Sequence, residues 1–458
     1  MTSAQICIMI AIMVYLIGMI YIGFRCSKKN NSTDDFYLGG RKLGPFVTAM
    51  SAEASDMSSW LLMGLPGVAY LTGISDAGWT AIGLAVGTYI NWLIVAKRIR
   101  RYTHTCNNSI TIPSFFSNRY RDEKKMLQVI AAIFIVIFFI PYTASGFAAC
   151  GKLFSSLFGV KYLTAMIISA IVIVAYTTLG GFLAASTTDF IQSIIMSVAL
   201  IVVLIFGVET AGGIGAVIHN ASELPGYLSM TLSYDVNTGK AAPYSALTIV
   251  STAAWGLGYF GMPHILLRFM AIEDEKKLKL SRRVATIWVV ISLFVAVFIG
   301  VIGYTMSKVG ALEMLTGSNS ETIIVKISAL LSQHGVIFAL LAGVILAGCI
   351  FCGFFRHSRC FPQRFFQQKR KHGSRKNYTP CNFCRCRIHC QKSGQFRICH
   401  RFFRLGWIRC RIRTGCSVFP VLETYQQMGR TCRYGLRGFH GIYLEIPDPP
   451  ARWYLEHL

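Results

Sequence analysis

Residues Ser51 to Trp60 read S-A-E-A-S-D-M-S-S-W, inside a stretch that is otherwise apolar and long enough to cross a bilayer. A carboxylate and several hydroxyls at membrane depth are costly to place and mark positions with a function. The run that follows, Gly64-Leu65-Pro66-Gly67, adds helix breakers to the same segment. A helix that unwinds halfway through a membrane frees backbone carbonyls, and freed carbonyls can hold a small cation. That combination points to ion-coupled transport. Farther along, Trp255-Gly-Leu-Gly-Tyr259-Phe-Gly-Met-Pro263 places three glycines, a proline and two amphipathic aromatics in another apolar stretch. The four-residue spacing puts Trp255 and Tyr259 on one helix face. They either line a cavity beside the break or pack and anchor between helices.

The elements that must position these residues are membrane helices. The chain has 458 residues, 53% hydrophobic and 14% charged, with a mean hydropathy of +0.50. A soluble chain carries about 25% charged residues. Apolar runs of membrane-spanning length recur near 6–24, 46–73, 77–96, 127–150, 162–183, 188–210, 246–271 and 283–306, and a ninth starts near Val336. The first run is too long for a secretory signal core and has no basic residues before it, so it reads as a span. The loops after spans one, three and seven carry 19 basic residues, Arg41 and Arg268 among them. The opposite loops carry Lys152, Lys161, Lys240, Lys308 and Lys326. This asymmetry predicts a cytoplasmic position for the first group and an external N-terminus. Interrupted helices five spans apart predict a pair of inverted five-helix repeats with a binding site between them. Spans two to six form the first repeat; spans ten and eleven of the second are missing from the pattern. The fold class is thus an all-α, polytopic, inverted-repeat transporter with an incomplete second repeat.

Together, Tyr37-Leu-Gly-Gly-Arg41, Ser51-Ala-Glu-Ala-Ser-Asp-Met-Ser58, Trp60-Leu-Leu-Met-Gly-Leu-Pro-Gly67, Gly180-Gly-Phe-Leu183 with Asp189, and Trp255 to Arg268 resemble the sodium:solute symporter family, and within it the sodium/proline symporters. The resemblance runs from about residue 5 to 349. It implies Na⁺ as coupling ion, held by backbone carbonyls at Ala54 and Met57, with Asp56 and Ser58 in the sodium-sensitive motif. It places Ser55, Asp189 and Arg41 near the ion route, and Trp60, Tyr142, Trp255, Tyr259 and Pro263 around the solute. Met262 stands where proline transporters usually carry glutamine, and Ser59 replaces a common glycine. Read from the residues alone, Asp189 starts a span and suits a helix end as well as an ion role. Tyr142, after Pro141, suits core packing, His264 reads as structural, and Glu53 faces a wet cavity or pairs with a basic group.

Residues 351–458 have another composition: 21 Lys and Arg, 4 Asp and Glu, and ten of the fifteen cysteines. Where the family carries a small, hydroxyl-rich A-A-x-x-S-T-A-D stretch in span nine, this chain reads Ile350-Phe-Cys-Gly-Phe-Phe-Arg-His-Ser-Arg359. Permitted codons for that segment, shifted by one base, can read F-F-A-A-F-F-A-T-A-D. The same shift turns Leu405 to Gly435 into a Gly-rich helix, a basic turn and the start of another helix. The expectation is therefore a symporter region over 1–349, followed by a basic, Cys-rich, frame-shifted tail over 350–458 that does not fold on its own. Cys381, Cys384, Cys386, Cys390, His389 and His400 match no complete zinc template, so metal or nucleic-acid binding is the lesser reading. The expected activity is Na⁺-driven uptake of a small amino acid, proline first, across the cell membrane. No bond is made or broken, so no enzyme is expected, and the expected partners are the solute and the lipid bilayer, with no nucleic acid. The alternatives are a non-transporting fragment and a membrane sensor.

Overall fold

A computed structural model describes residues 2–28 and 32–351. The expectations for the tail, and for anything in spans ten and eleven, lie outside the described residues. Span one is α1 (Ser3–Ser27), started by a capping box between Thr2 and Gln5. A short α2 (Thr33–Leu38) follows, and two left-handed glycines, Gly39 and Gly40, turn the chain into span two. Span two is not one rod. It consists of α3 (Pro45–Ser59), a wide π-helical turn over Trp60–Gly64, and α4 (Leu65–Thr72). Then come α5 (Ile74–Thr105), α6 (Ile112–Arg119) and α7 (Met126–Phe158). The next helix, α8 (Tyr162–Thr210), contains spans five and six, joined without a loop at Gly181, whose φ of 65° and ψ of −161° break the helical path.

The second half starts with α9 (Ile214–Ser222) and an antiparallel hairpin, β1 (Leu232–Asp235) on β2 (Lys240–Pro243), with Leu232 opposite Pro243. This hairpin is the one named sheet among the described residues, which are otherwise mainly helical. Span seven is again divided: α10 (Ala246–Ala253), a 3₁₀ stretch over Ala254–Phe260, and α11 (Pro263–Ala271). The chain continues through α12 (Leu278–Lys308), α13 (Ile323–Leu331) and α14 (Val336–Phe351). Ser3–Ser27, Ile74–Thr105, Met126–Phe158, Gly180–Thr210 and Glu275–Lys308 are each long and apolar enough to cross a membrane. The other predicted spans are divided or shorter. Large apolar side chains such as Val14, Ile137, Ile205 and Phe294 stay exposed, as lipid-facing positions require.

The three loops predicted to share one side do meet. Arg41 donates to Asn108 Oδ1, the Ser109 carbonyl and the Met270 carbonyl, and Arg101 pairs with Glu275 at 2.7 Å. Opposite them, Lys152 pairs with Glu321 at 3.0 Å, and the Trp79 indole donates to the Met230 carbonyl. Burial and the neighbouring Arg100 lower the pKa of Arg41 to about 10.

Small residues let the broken helices pack backbone to backbone. A Cβ on Gly256 would stand 1.9 Å from the Gly83 carbonyl oxygen, and one on Gly87 2.3 Å from that of Gly256. Gly67 likewise lets the backbone of Glu321 approach, so this glycine serves packing, while the helix breaks earlier, at Ser58. At the C-terminal end of α4, Gly73 has φ 82° and ψ −158°, and its Cβ would meet the Tyr227 carbonyl oxygen at 2.1 Å. That carbonyl accepts the Ile74 amide at 2.9 Å, so it cannot withdraw freely. Gly73→Ala is expected to cost about 3 kcal/mol, from strain plus overlap. Gly159→Ala, at φ 65° with open space around it, is expected to cost about 1 kcal/mol. Unfolding midpoints in detergent check the difference; equal midpoints would contradict the packing described here.

Candidate functional site

The site lies where the two divided spans run side by side. Ser51 is close to Arg268, Asp56 to His264, and Trp60 to Trp255. Each step up the first segment is matched by a step back along the second, so α3 and α11 are antiparallel neighbours. The start of α3 and the end of α11 are tied by the Leu43 amide donating to the Ala271 carbonyl and the Glu273 amide donating to the Leu43 carbonyl. α8 closes a third side against α3.

The backbone breaks for different reasons in the two segments. Ser58 adopts φ 48° and ψ −157°, a conformation that favours glycine, so its strain must be held by its surroundings. Its hydroxyl accepts the Trp60 amide at 3.4 Å, and the Met57 carbonyl accepts the same amide. In span seven, Pro263 opens α11 at a position where its missing N–H leaves no gap in the ladder. Gly261 and Met262 before it lie outside any helix.

Three carboxylates and one guanidinium are buried around these breaks. Asp189, inside α8, is 0% exposed, and its Oδ2 accepts from Ser51 Oγ at 2.9 Å, Ser55 Oγ at 2.8 Å, and Arg268 Nη2. Arg268 also donates from Nε to Ser51 Oγ at 2.6 Å and from Nη1 to the His264 carbonyl at 2.6 Å. Asp189 Oδ1 is buried with no hydrogen-bond partner among the described residues. Glu53 Oε1 accepts the Trp92 indole N–H at 2.8 Å, and the Trp92 ring rests on Phe269, 4.4 Å between centroids. Asp56 Oδ1 lies 3.5 Å from His264 Nε2, and the Tyr259 side chain also faces Asp56. Above them, Trp60 and Trp255 meet at 4.9 Å between centroids, tilted by 54°. Asn91 of α5 donates to the Tyr259 carbonyl at 3.0 Å and holds the 3₁₀ stretch in place.

Of the residues singled out from sequence, Ser55, Asp56, Asp189, Trp60, Trp255, Tyr259 and Pro263 lie at this junction. Ala54 and Met57 occupy the last turn before the break at Ser58. Tyr142 stands one ring away: Phe139 meets Tyr142 at 5.8 Å and His264 at 5.9 Å. Arg41 is near the start of α3 and the end of α11, its donors used by Asn108, Thr103, Ser109 and Met270. Two readings need correction. Arg268, expected with the loop after span seven, is 3% exposed in α11, and Asp189 lies inside the second arm of α8, beyond the break at Gly181, rather than at a span start. One signal for this pair was available: Arg268 falls within the last turn of the apolar run 246–271, and buried carboxylates need a cation. Glu53 and its indole partner had no such signal.

Removing one member of the Asp189–Arg268 pair strands a buried charge. Arg268→Gln and Asp189→Asn are each expected to destabilise by about 3–5 kcal/mol. The double variant is expected to lose much less than the two together. A double-mutant cycle on unfolding in detergent checks this, and additive losses would mean that the two do not interact.

The profile of the sodium:solute symporter family matches residues 36–378. Among curated relatives, the osmoregulated proline transporter OpuE of Bacillus subtilis (strain 168) is 41% identical over 340 residues, 74% of this chain and 66% of that protein. The sodium/proline symporter of Escherichia coli (strain K12) is 40% identical over 335 residues, 73% of this chain and 65% of that one. The high-affinity proline transporter PutP of B. subtilis is 43% identical over 329 residues, 72% and 67% of the two chains. This chain thus spans about two thirds of the length of these relatives. A solved Na⁺-coupled sialic acid symporter, in a substrate-bound outward-open state, superposes with a TM-score of 0.65 at 16% identity, over 82% of this chain and 77% of that one. That likeness shows a shared fold. The extent of the profile match and the identity to these relatives establish that the chain belongs to the sodium:solute symporter family.

Proposed function

We propose that residues 1–349 form the ion- and solute-binding part of a secondary transporter in the cell membrane. It couples inward Na⁺ movement to uptake of a small amino acid, L-proline. The observation that carries this reading is the charge balance at the junction. Asp56 and Asp189 both lie at the junction, where the Arg268 guanidinium pairs with Asp189 while Asp56 faces the His264 ring and has no guanidinium of its own among the described residues. Surplus negative charge at membrane depth calls for cations. The Na⁺ symporters and proline transporters among the relatives make Na⁺ and proline the chemistry to test.

In this reading Na⁺ settles beside the break at Ser58, on the carbonyls of Ala54 and Met57, with Asp56 and Ser58 supplying further oxygens. The Met57 carbonyl already accepts one N–H and keeps its second lone pair for the ion. Ser55, Asp189 with its unpartnered Oδ1, and Arg41 toward the inner end mark the ion route. The proline ring lies against Trp60, Trp255 and Tyr259, beside the turn made by Pro263, with Tyr142 on the α7 side. Na⁺ binding favours the outward-open state and so raises solute affinity, and solute raises Na⁺ affinity by the same factor. The two repeats then rock to open the site inward. Transport makes and breaks no covalent bond.

We further propose that the frame shifts near codon 349, on the strength of the composition change there. A chain so altered lacks the hydroxyl-rich stretch of span nine and is a non-transporting fragment. The nucleotide sequence decides this: an unbroken frame around that codon rules the shift out. Uptake of [³H]proline into vesicles tests the rest. The frame-restored chain is expected to accumulate proline only with an inward Na⁺ gradient, and the chain as written is expected not to. Asp56→Ala in the restored chain is expected to raise half-saturating Na⁺ roughly tenfold or more. Unchanged sodium dependence would remove Asp56 from the site.

A further inference from the structure

Many of the basic side chains on the face formed by the loops after spans one, three and seven are used by the protein itself. Arg41, Arg100, Arg101 and Lys277 all donate to carbonyls or carboxylates there. Arg119 lies over the Tyr102 ring, in the loop region. Arg282 is placed differently. It sits four residues into α12, where the polar segment gives way to the apolar run that starts at Val284. Its guanidinium is held over the ring of Tyr89 on α5, with Cζ 5.4 Å from the centroid. Its Nε is buried, and Arg282 has no hydrogen-bond or ion-pair partner among the described residues. One turn farther along α12, Thr286 Oγ1 is also buried without a partner.

The surroundings say what kind of acceptor reaches this fork. Tyr89, Leu93, Ile287 and Val290 are all exposed on the two helices, a surface that meets acyl chains. The ring fixes the plane of the guanidinium, as aromatic faces do for arginine, and leaves its outer edge open. A planar fork with free donors matches two oxygens of a phosphate. Lys279 and Arg283 beside it are exposed, and basic clusters at the membrane border favour anionic over zwitterionic headgroups. Buried polar atoms without partners mark places where a ligand completes the hydrogen bonding.

We propose that the seam between α5 and α12 binds the phosphodiester of an anionic lipid from the leaflet on the basic side, gripped by Arg282 on its Tyr89 platform. Nothing in the transport reading requires this site, so each stands without the other.

Native mass spectrometry of the full chain, purified with either phosphatidylglycerol or phosphatidylcholine, provides the test. The protein is expected to retain phosphatidylglycerol under conditions that strip phosphatidylcholine. Arg282→Gln is expected to lower that retention roughly tenfold, the loss of a charge-assisted contact worth ~1.4 kcal/mol. Arg282→Lys keeps the charge but not the planar fork, and is expected to lose most of it too. Tyr89→Leu, which removes the platform and keeps the arginine, is expected to weaken retention even where the arginine variant folds poorly. Lys124→Gln, on an exposed loop, is expected to leave it unchanged. Excess inorganic phosphate is expected not to displace the lipid; displacement would mark a soluble-anion site and overturn the lipid assignment. Equal retention by the unaltered protein, Arg282→Gln and Tyr89→Leu would overturn the proposal, as would equal retention of the two lipids.

Discussion

One guanidinium, that of Arg268, is held on Asp189 at membrane depth with two further carboxylates nearby, and the rest of the arrangement follows from the need to keep it in place. In a low-dielectric interior a carboxylate without compensation costs several kcal/mol, so each must be met by donors or cations. Asp189 takes two serine hydroxyls from α3 and the Arg268 guanidinium from α11, which joins three helices at one carboxylate oxygen. Glu53 accepts from an indole, and a histidine ring nitrogen stands 3.5 Å from Asp56. None of these donors comes from the carboxylate's own helix turn. The polar chemistry therefore depends on α3, α5, α8 and α11 packing correctly.

Packing of that closeness requires small residues, and they occur where the divided segments approach their neighbours. Gly83 and Gly87 admit the Gly256 backbone, and Gly300 admits the Pro66 carbonyl, where a Cβ would stand at 2.4 Å. The interruptions thus serve two ends. They break the regular backbone ladder near the carboxylates, and they let two helices pass closer than side chains normally permit. A continuous helix at Ser58 would pair its carbonyls internally and would hold Trp60 on a different heading from Trp255.

Much of this architecture was legible in the sequence, for a definite reason. Spans in lipid must satisfy their own backbone and present apolar surface, so length and hydropathy give them away. The long apolar helices, the division of spans two and seven, and the meeting of three basic loops were all signalled in the sequence. What escaped was short, amphipathic or set by distant partners. α2, α6, α9 and α13 run six to nine residues each, and the β1–β2 hairpin lies in a polar loop without a membrane signal. The break in span two sits at Ser58 rather than at Gly64 to Gly67, because the strain is held by tertiary contacts and not by local propensity. Pro66 is absorbed at the start of α4, where its missing N–H does no harm. Arg268 shows the limit of counting charges by loop. Its sequence neighbourhood reads as a span end, and only the carboxylate 79 residues away explains its burial.

The two halves of span two belong to different surroundings. The first half, α3, is bound by side-chain hydrogen bonds to α8 and α11 through Ser51 and Ser55. The second half, α4, is fixed by backbone fit and by tyrosines. Tyr70 donates to Ser307 of α12 at 2.9 Å and accepts the Leu315 amide, and Tyr227 donates to the Tyr70 carbonyl at 2.8 Å. Between these sets of ties lies Ser58, in a backbone conformation costing of order 1–3 kcal/mol that its neighbours must hold in place. A strained residue between two firmly held segments is where a change in one segment's partners would first be felt by the other. The residues around that point, Asp56, Trp60, Trp255 and Tyr259, set a carboxylate beside three aromatic side chains. Strain, surplus charge and aromatic surface therefore coincide within about two turns of helix.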